Sequence, residues 1–207
     1  GLNGQFRTPR HIIKMMVDLM KPTPEDIIVD PAAGSAGFLV EAGEYLRENK
    51  SDLFLTANLK EHFNNTMFYG FDMDRTMLRI GAMNLMQHGI ENPNIMYKDS
   101  LSEDNEDNGK YTLVLANPPF NISDWGQEKL IDDARWKYGI PPKGNANYAW
   151  LQHMVSKLSI NGKAAIILAN GSLSAGGQEE EIRKNLIEAD LVDCILSMPS
   201  NLFYTVT

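Results

Sequence analysis

Short apolar runs alternate along this chain with longer stretches in which apolar residues return every three or four positions. The runs are "IIVD" (27–30), "MFYGFD" (67–72), "NIMY" (94–97), "YTLVLA" (111–116), "KAAIILA" (163–169) and "LVDCILS" (191–197). They are continuous rather than alternating, which predicts strands buried on both faces of a parallel sheet. Between them, Ile12, Met16, Leu19 and Met20 share one helical face, as do Leu78, Ala82, Leu85 and Met86, and Leu151, Met154, Val155 and Leu158. A further helix is expected over 178–188. Strand and helix in strict alternation predict an α/β fold with a doubly wound, mostly parallel sheet. Ligands of such sheets collect beyond the carboxyl ends of the strands. Two stretches break the pattern: a polar excursion at 47–66, and a long loop at 120–146 carrying Trp125, Trp136 and Tyr138. A loop of that length in a compact domain is expected to be functional or mobile.

Composition narrows the class without naming a function. A length of 207 residues is most simply one domain, 1–207, able to bury a core. No apolar run approaches membrane-spanning length, and no secretory leader pattern opens the chain, so no membrane partner is expected. The single cysteine, Cys194, excludes an internal disulfide and reads as a buried thiol within a strand. A cytoplasmic protein follows as the expectation. The histidines His11, His62, His88 and His153 lack metal-ligand spacing, so no metal site is expected. The net charge of −8, with acids in "SEDNED" (102–107) and "EEE" (179–181), disfavours tight nucleic-acid binding by this chain alone. The chain opens "GLNGQF" without Met and stops at "NLFYTVT", which reads as a piece of a longer protein.

The residues at the predicted strand ends carry the chemistry. "IIVDPAAGSAGF" ends a strand at Asp30 and enters a helix near Ser35 through a turn of small residues. Gly34, Ser35, Ala36 and Gly37 let backbone approach a ligand, and the amides of a helix N-terminus stay available to it. The pattern lacks the third glycine of a dinucleotide fingerprint, which disfavours NAD. Asp30 would repel phosphate and suit a cationic ligand such as an amino-acid ammonium. A tight turn needing glycine only for packing is the alternative. Asp72 ends the second strand where such folds place an acid on ribose hydroxyls, while Asp74 reads as a helix cap. Asp99 follows the third strand and either accepts from an adenine amine or caps its own loop. The fourth strand runs into Asn117-Pro118-Pro119-Phe120. The prolines stop the ladder and free a carbonyl to point outward. Asn117 adds a second acceptor and Phe120 a flat face, which together suit a planar base bearing an exocyclic amine.

With "GQFRTPRHI" ahead of "DPAAGSAGF" and "NPPF", in that order, the chain resembles S-adenosylmethionine-dependent amino methyltransferases acting on DNA adenine. The late "ILSMPSNLFYTVT" sharpens this: the chain is similar, over nearly its whole length, to modification subunits of type I restriction-modification systems. The resemblance implies a Rossmann-like methyltransferase fold, incomplete at its C-terminal edge. It implies that Gln5, Phe6, Arg7, Thr8, Pro9 and Arg10, with Ser35, Ala36 and Gly37, touch S-adenosylmethionine. It places Asp72 on the ribose, Asp99 on the adenine, and Asn117, Pro118, Pro119 and Phe120 on the target amine of a flipped base. Phe203 or Tyr204 would stack beside Phe120. Position 7 carries Arg where the family often has an aromatic. Read without the family, "TPR" makes Thr8 a helix N-cap and Pro9 the first helical residue. The implied partners are DNA, a specificity subunit and a restriction subunit, and a separate specificity subunit would answer the objection from charge. Rival readings keep the cofactor but change the acceptor to a cytosine amine, RNA or a protein glutamine. Another rival makes the chain a catalytically idle scaffold.

Overall fold

The computed structural model describes residues 7–102 and 106–203. In chain order the elements are α1 (Arg10–Met20), β1 (Ile28–Asp30), α2 (Gly37–Asn49), α3 (Ala57–Asn65), β2 (Phe68–Asp72), α4 (Arg75–Gln87), β3 (Asn94–Tyr97), β4 (Tyr111–Ala116), α5 (Asn147–Lys157), β5 (Leu158–Ile166) and α6 (Gln178–Glu188). Short 3-10 turns lie at Ser51–Leu55, Gln127–Lys129 and Asn170–Leu173. The five strands form one parallel sheet in the order β3-β2-β1-β4-β5. The expected α/β architecture is therefore present. Order reverses between β1 and β4, so the loops leaving these two neighbours diverge and open the crevice in which such folds bind ligands.

Burial explains which runs became strands. Every residue of β1 is buried, as are five of the six in β4, because helices cover both faces of the central strands. One face carries Ile12, Val17, Leu39, Leu46, Phe63, Phe68, Leu85 and Leu115, drawn from α1 to α4 and the sheet. The other packs Val29, Phe71, Val114 and Ala116 against Met154 of α5. The helix α4 starts where Asp74 accepts from the amides of Thr76 and Met77 at 2.9 and 3.1 Å, the capping role expected of it.

Several expectations need correction. The "polar excursion" at 47–66 is mostly ordered as the end of α2, a 3-10 turn and α3, anchored by buried Leu53 and Phe63. Two anchors on short helices leave too little periodicity to register as a pattern. The run "LVDCILS" forms no strand: residues 191–197 are coil outside the sheet, and Leu191, Val192, Ile195 and Leu196 are exposed. An apolar run becomes a strand only when a neighbour takes its backbone hydrogen bonds, and no strand among the described residues does so here. Cys194 is accordingly exposed, not buried. In β5 the register jumps from Tyr111↔Leu158 to Leu113↔Lys163, so Ser159–Gly162 bulge out of the ladder and Ile160 stands in solvent. The regular part of the strand therefore begins at Lys163, as expected, and the ladder ends at Ile166. Among the described residues no helix is long and apolar enough to cross a membrane.

Candidate active site

The turn after β1 is shaped almost wholly by backbone. Gly34 has φ +52°, and a Cβ added there would meet nothing within 4 Å, so the glycine faces open space. Ala36 adopts the same left-handed region at φ 65°, unusual for a residue with a side chain. The strain is held from behind. Gly34 N–H donates to Asp72 Oδ2 at 2.8 Å, Ala33 N–H to Phe71 O at 2.9 Å, and Asn84 Nδ2 to Ser35 O at 2.9 Å. Gly81 of α4 lets that helix come close: a Cβ there would lie 3.1 Å from Gly34 O and 3.3 Å from Ala36 Cβ. No side chain caps the N-terminus of α2, which begins at Gly37. The result is a narrow shelf of small residues and backbone dipoles. A nucleoside-bearing ligand with a flexible amino-acid tail fits this donor set; a pyrophosphate, met by the acid Asp72 at the shelf's edge, does not.

The acids at the strand ends divide their duties. Asp30 is 2% exposed and accepts from Ala32 N–H at 2.9 Å, so it braces the turn from beneath. Burial pushes its pKa up to about 8, the Ala32 amide pulling the other way and neighbouring Asp72 adding to the rise. Asp72 accepts from Gly34 N–H through Oδ2 and from Asp74 N–H at 2.9 Å through Oδ1. A carboxylate has about four acceptor positions, so these two bonds leave capacity for hydroxyl groups. Asp99 Oδ1 accepts from the amides of Leu101 and Ser102 at 3.2 and 3.3 Å, which makes the loop cap a real part of its role.

Across the switch point, Asn117 leaves β4 and turns its Nδ2 to Thr8 Oγ1 at 2.8 Å. This contact corrects the reading of "TPR". Thr8 is not the N-cap; Pro9 is, its carbonyl accepting from Ile12 and Ile13 N–H at 3.0 and 3.1 Å. The threonine hydroxyl instead ties the segment before α1 to the Asn-Pro-Pro-Phe turn, joining two motifs 109 positions apart. Pro9 and Pro118 are buried, and Arg7 and Arg10 are exposed. Phe120 meets Phe203 edge-on, ring centroids 6.1 Å apart at 78°. Gln5, Phe6 and Tyr204 lie outside the described residues.

The loop 120–146 is packed, not open. Trp136, Trp125, Ile122 and Leu130 build a small core with Leu101, Trp150 and Ala32 of the glycine turn. Its anchor is Arg135. It is 3% exposed and donates to the carbonyls of Ser100 and Leu101 at 2.8 and 2.6 Å, while pairing with Asp133 at 2.8 Å. Its Nη1 also lies 3.0 Å from His153 Nδ1. A guanidinium only donates, so Nδ1 accepts and the imidazole proton sits on Nε2. Burial first, then the charges of Lys157 and Arg135, hold the His153 pKa well below its ordinary value. Ser100 Oγ completes the link by donating to Pro31 O at 2.7 Å. The Asp99 loop, the glycine turn and the long loop are thus one connected body. Gly81, Asn84, Ser100 and Arg135 went unread in the sequence because each acts across more than 30 positions, leaving no local spacing to notice. Among the described residues no group of three or more His, Cys, Asp or Glu side chains is placed to hold a metal ion.

Comparison with known proteins agrees with this geometry. The family described as N-6 DNA Methylase matches residues 1–207. The type I restriction enzyme HindI methylase subunit of Haemophilus influenzae is 42% identical over 203 residues, covering 97% of this chain and 43% of that protein. The MjaIX methylase subunit of Methanocaldococcus jannaschii is 41% identical over 212 residues, covering all of this chain and 36% of that protein. The chain thus spans less than half the length of these relatives. A crystal structure of a type I restriction-modification methyltransferase subunit from Streptococcus thermophilus superposes with a TM-score of 0.82 at 28% identity, covering 99% of this chain and 43% of that one. That of the EcoKI M protein gives 0.74 at 30% identity, covering 90% and 38%. A parallel sheet with its glycine turn, Asp72 and Asn117 grouped at one edge, in a sequence matched from end to end, makes this chain a member of the N-6 DNA methylase family.

Proposed function

We propose that this chain is the catalytic part of a DNA adenine methyltransferase of the type I modification kind, methylating the exocyclic amine of a flipped adenine. The observation that carries the reading is the Asn117-Pro118-Pro119-Phe120 turn, held by Thr8 across the switch point from the Gly34 shelf. S-adenosylmethionine bound on that shelf would supply an electrophilic sulfonium methyl. Gly34 to Gly37 would face its amino-acid tail, Asp72 its ribose and Asp99 its adenine, with residues 5–10 also touching it.

The chain's own residues would prepare the nucleophile. An adenine amine is weak because its lone pair is delocalised into the ring. Asn117 Oδ1 and Pro118 O, each accepting one amine hydrogen, draw the nitrogen toward a tetrahedral, more nucleophilic shape. Thr8 takes the Nδ2 end of Asn117, which leaves Oδ1, buried in this structure, as the acceptor end of the amide. The amide oxygen is too weak a base to take a proton at neutral pH, so the amine proton leaves to water after transfer. Phe120, with Phe203 beside it, offers the ring surface for an extruded base. This is positioning together with electrostatic stabilisation.

DNA, a specificity subunit and a restriction subunit are the proposed partners. The test is product identity: the full-length protein, assembled with its specificity subunit, is given labelled S-adenosylmethionine and duplex DNA, and the digested nucleosides are resolved. N6-methyladenine at a fixed sequence is the expected product. Methyl groups on cytosine, on RNA or on protein, or none at all, would overturn the reading.

A further inference from the structure

The residue after Phe120 is held in an unusual way. Asn121 has φ 54°, a left-handed conformation disfavoured for residues with a side chain, though asparagine tolerates it better than most. Asn147, at the first position of α5 and 2% exposed, clamps it from both sides. Asn147 Oδ1 accepts from Asn121 N–H at 2.9 Å, and Nδ2 donates to Asn121 Oδ1 at 2.9 Å and to Ser172 Oγ at 3.2 Å. Asn145 adds a second donor to Asn121 Oδ1 at 2.9 Å, and its own Oδ1 accepts from Asn147 N–H at 2.8 Å. Further along, Ala146 N–H donates to Ile122 O at 2.8 Å and Asp124 N–H to Lys143 O at 3.1 Å. Those backbone bonds tether the chain past the turn; the two asparagines reach the residue adjoining Phe120 itself.

Asn147 is the first residue of α5, with Ala146 at the N-cap, and its side-chain oxygen is committed to Asn121 rather than to its own helix. We propose that Asn147 is a positioning residue for methyl transfer: it fixes the strained Asn121 backbone and thereby the stance of Asn117 to Phe120 toward the target amine. The inference rests on the amine-acceptor reading above and adds to it a residue that does not touch the base. Displacing such a platform by about 1 Å is enough to cost ~100-fold in rate.

The experiment uses the full-length protein assembled with its specificity subunit, and duplex DNA carrying adenine or 2-aminopurine at the target position. Asn147→Ala should slow single-turnover methyl transfer about 10- to 100-fold. Its S-adenosylmethionine affinity and its KM for DNA should stay within about two-fold of wild type, and the 2-aminopurine signal of base extrusion should persist. Asn147→Asp, close in shape, keeps the acceptor for Asn121 N–H and loses the donor; it should fall between the two, and it carries the test if the alanine variant does not assemble. Adding Asn121→Gly to either variant removes the left-handed penalty and should recover at least about three-fold of the lost rate. If wild type makes N6-methyladenine and the Asn147 variants match its rate, the inference alone fails. Loss of cofactor affinity and melting temperature in step with rate, with no recovery from Asn121→Gly, also overturns it and makes Asn147 a folding residue. If wild type makes no N6-methyladenine, the functional reading fails first.

Discussion

Asp30 shows how little a residue's type says about its duty. In the sequence it is an acid at a strand end, suited to attract a cation. In the fold it is enclosed beneath the glycine turn, and burial raises its pKa from the ordinary 3.8 to about 8. A folded-state pKa above the unfolded value means that the folded protein retains a proton the unfolded chain has given up. The stability this contributes is full below pH 3.8 and is lost as pH rises toward about 8. Denaturant melts of wild type and Asp30→Asn across that range should therefore diverge: wild type loses stability with rising pH, and the variant lacks that component of the slope. Parallel curves would mean the carboxyl titrates normally. His153 works with opposite sign, since its depressed pKa removes stability as pH falls below its ordinary 6.5, so the two variants must be compared rather than wild type read alone.

At the scale of elements, the proposed cofactor shelf depends on α4 as much as on the glycine turn itself. Gly81 permits the approach, and Asn84 fixes Ser35. Alanine at position 81 gains up to about 1 kcal/mol of helix propensity but presses a methyl against Gly34 O. Gly81→Ala is expected to weaken S-adenosylmethionine binding several-fold while the melting temperature changes little; calorimetry beside a thermal melt checks it, and unchanged affinity would show that the shelf yields freely. This contact also marks the limit of what the sequence reveals. The buried runs of β1, β2 and β4, the Asp74 cap and the Asn117 turn were legible because each is a local pattern with a local cause. The coil at 191–197 was misread because an apolar run does not disclose whether a neighbouring strand exists to pair with it. Thr8 was misread because its hydroxyl serves Asn117, far along the chain, and not the adjacent helix. The order of the long loop was invisible for the same reason, its anchor Arg135 reaching back to Ser100 and Leu101.

For the whole molecule, charge and architecture divide the labour. A net charge of −8 releases few counterions from DNA, and Arg135, one of the few basic residues of the long loop, is spent inside the protein. In the proposed reaction, extruding a base costs a few kcal/mol more, which a basic, sequence-reading surface on a partner subunit would offset. What remains its own is the chemistry at the carboxyl edge of the sheet. Asn117→Ala, compared with wild type in the assembled full-length enzyme, isolates that chemistry. The measurement is the single-turnover rate of methyl transfer to adenine, taken with the S-adenosylmethionine Kd on the same samples. The expected result is a rate lowered by about 10²- to 10³-fold, the loss typical of removing one transition-state hydrogen bond, with Kd changed by less than about five-fold. A variant that methylates at the wild-type rate would contradict the assignment of Asn117 to the amine. A variant that loses cofactor affinity and melting temperature together would make the Asn-Pro-Pro-Phe turn a structural stop to β4 and nothing more.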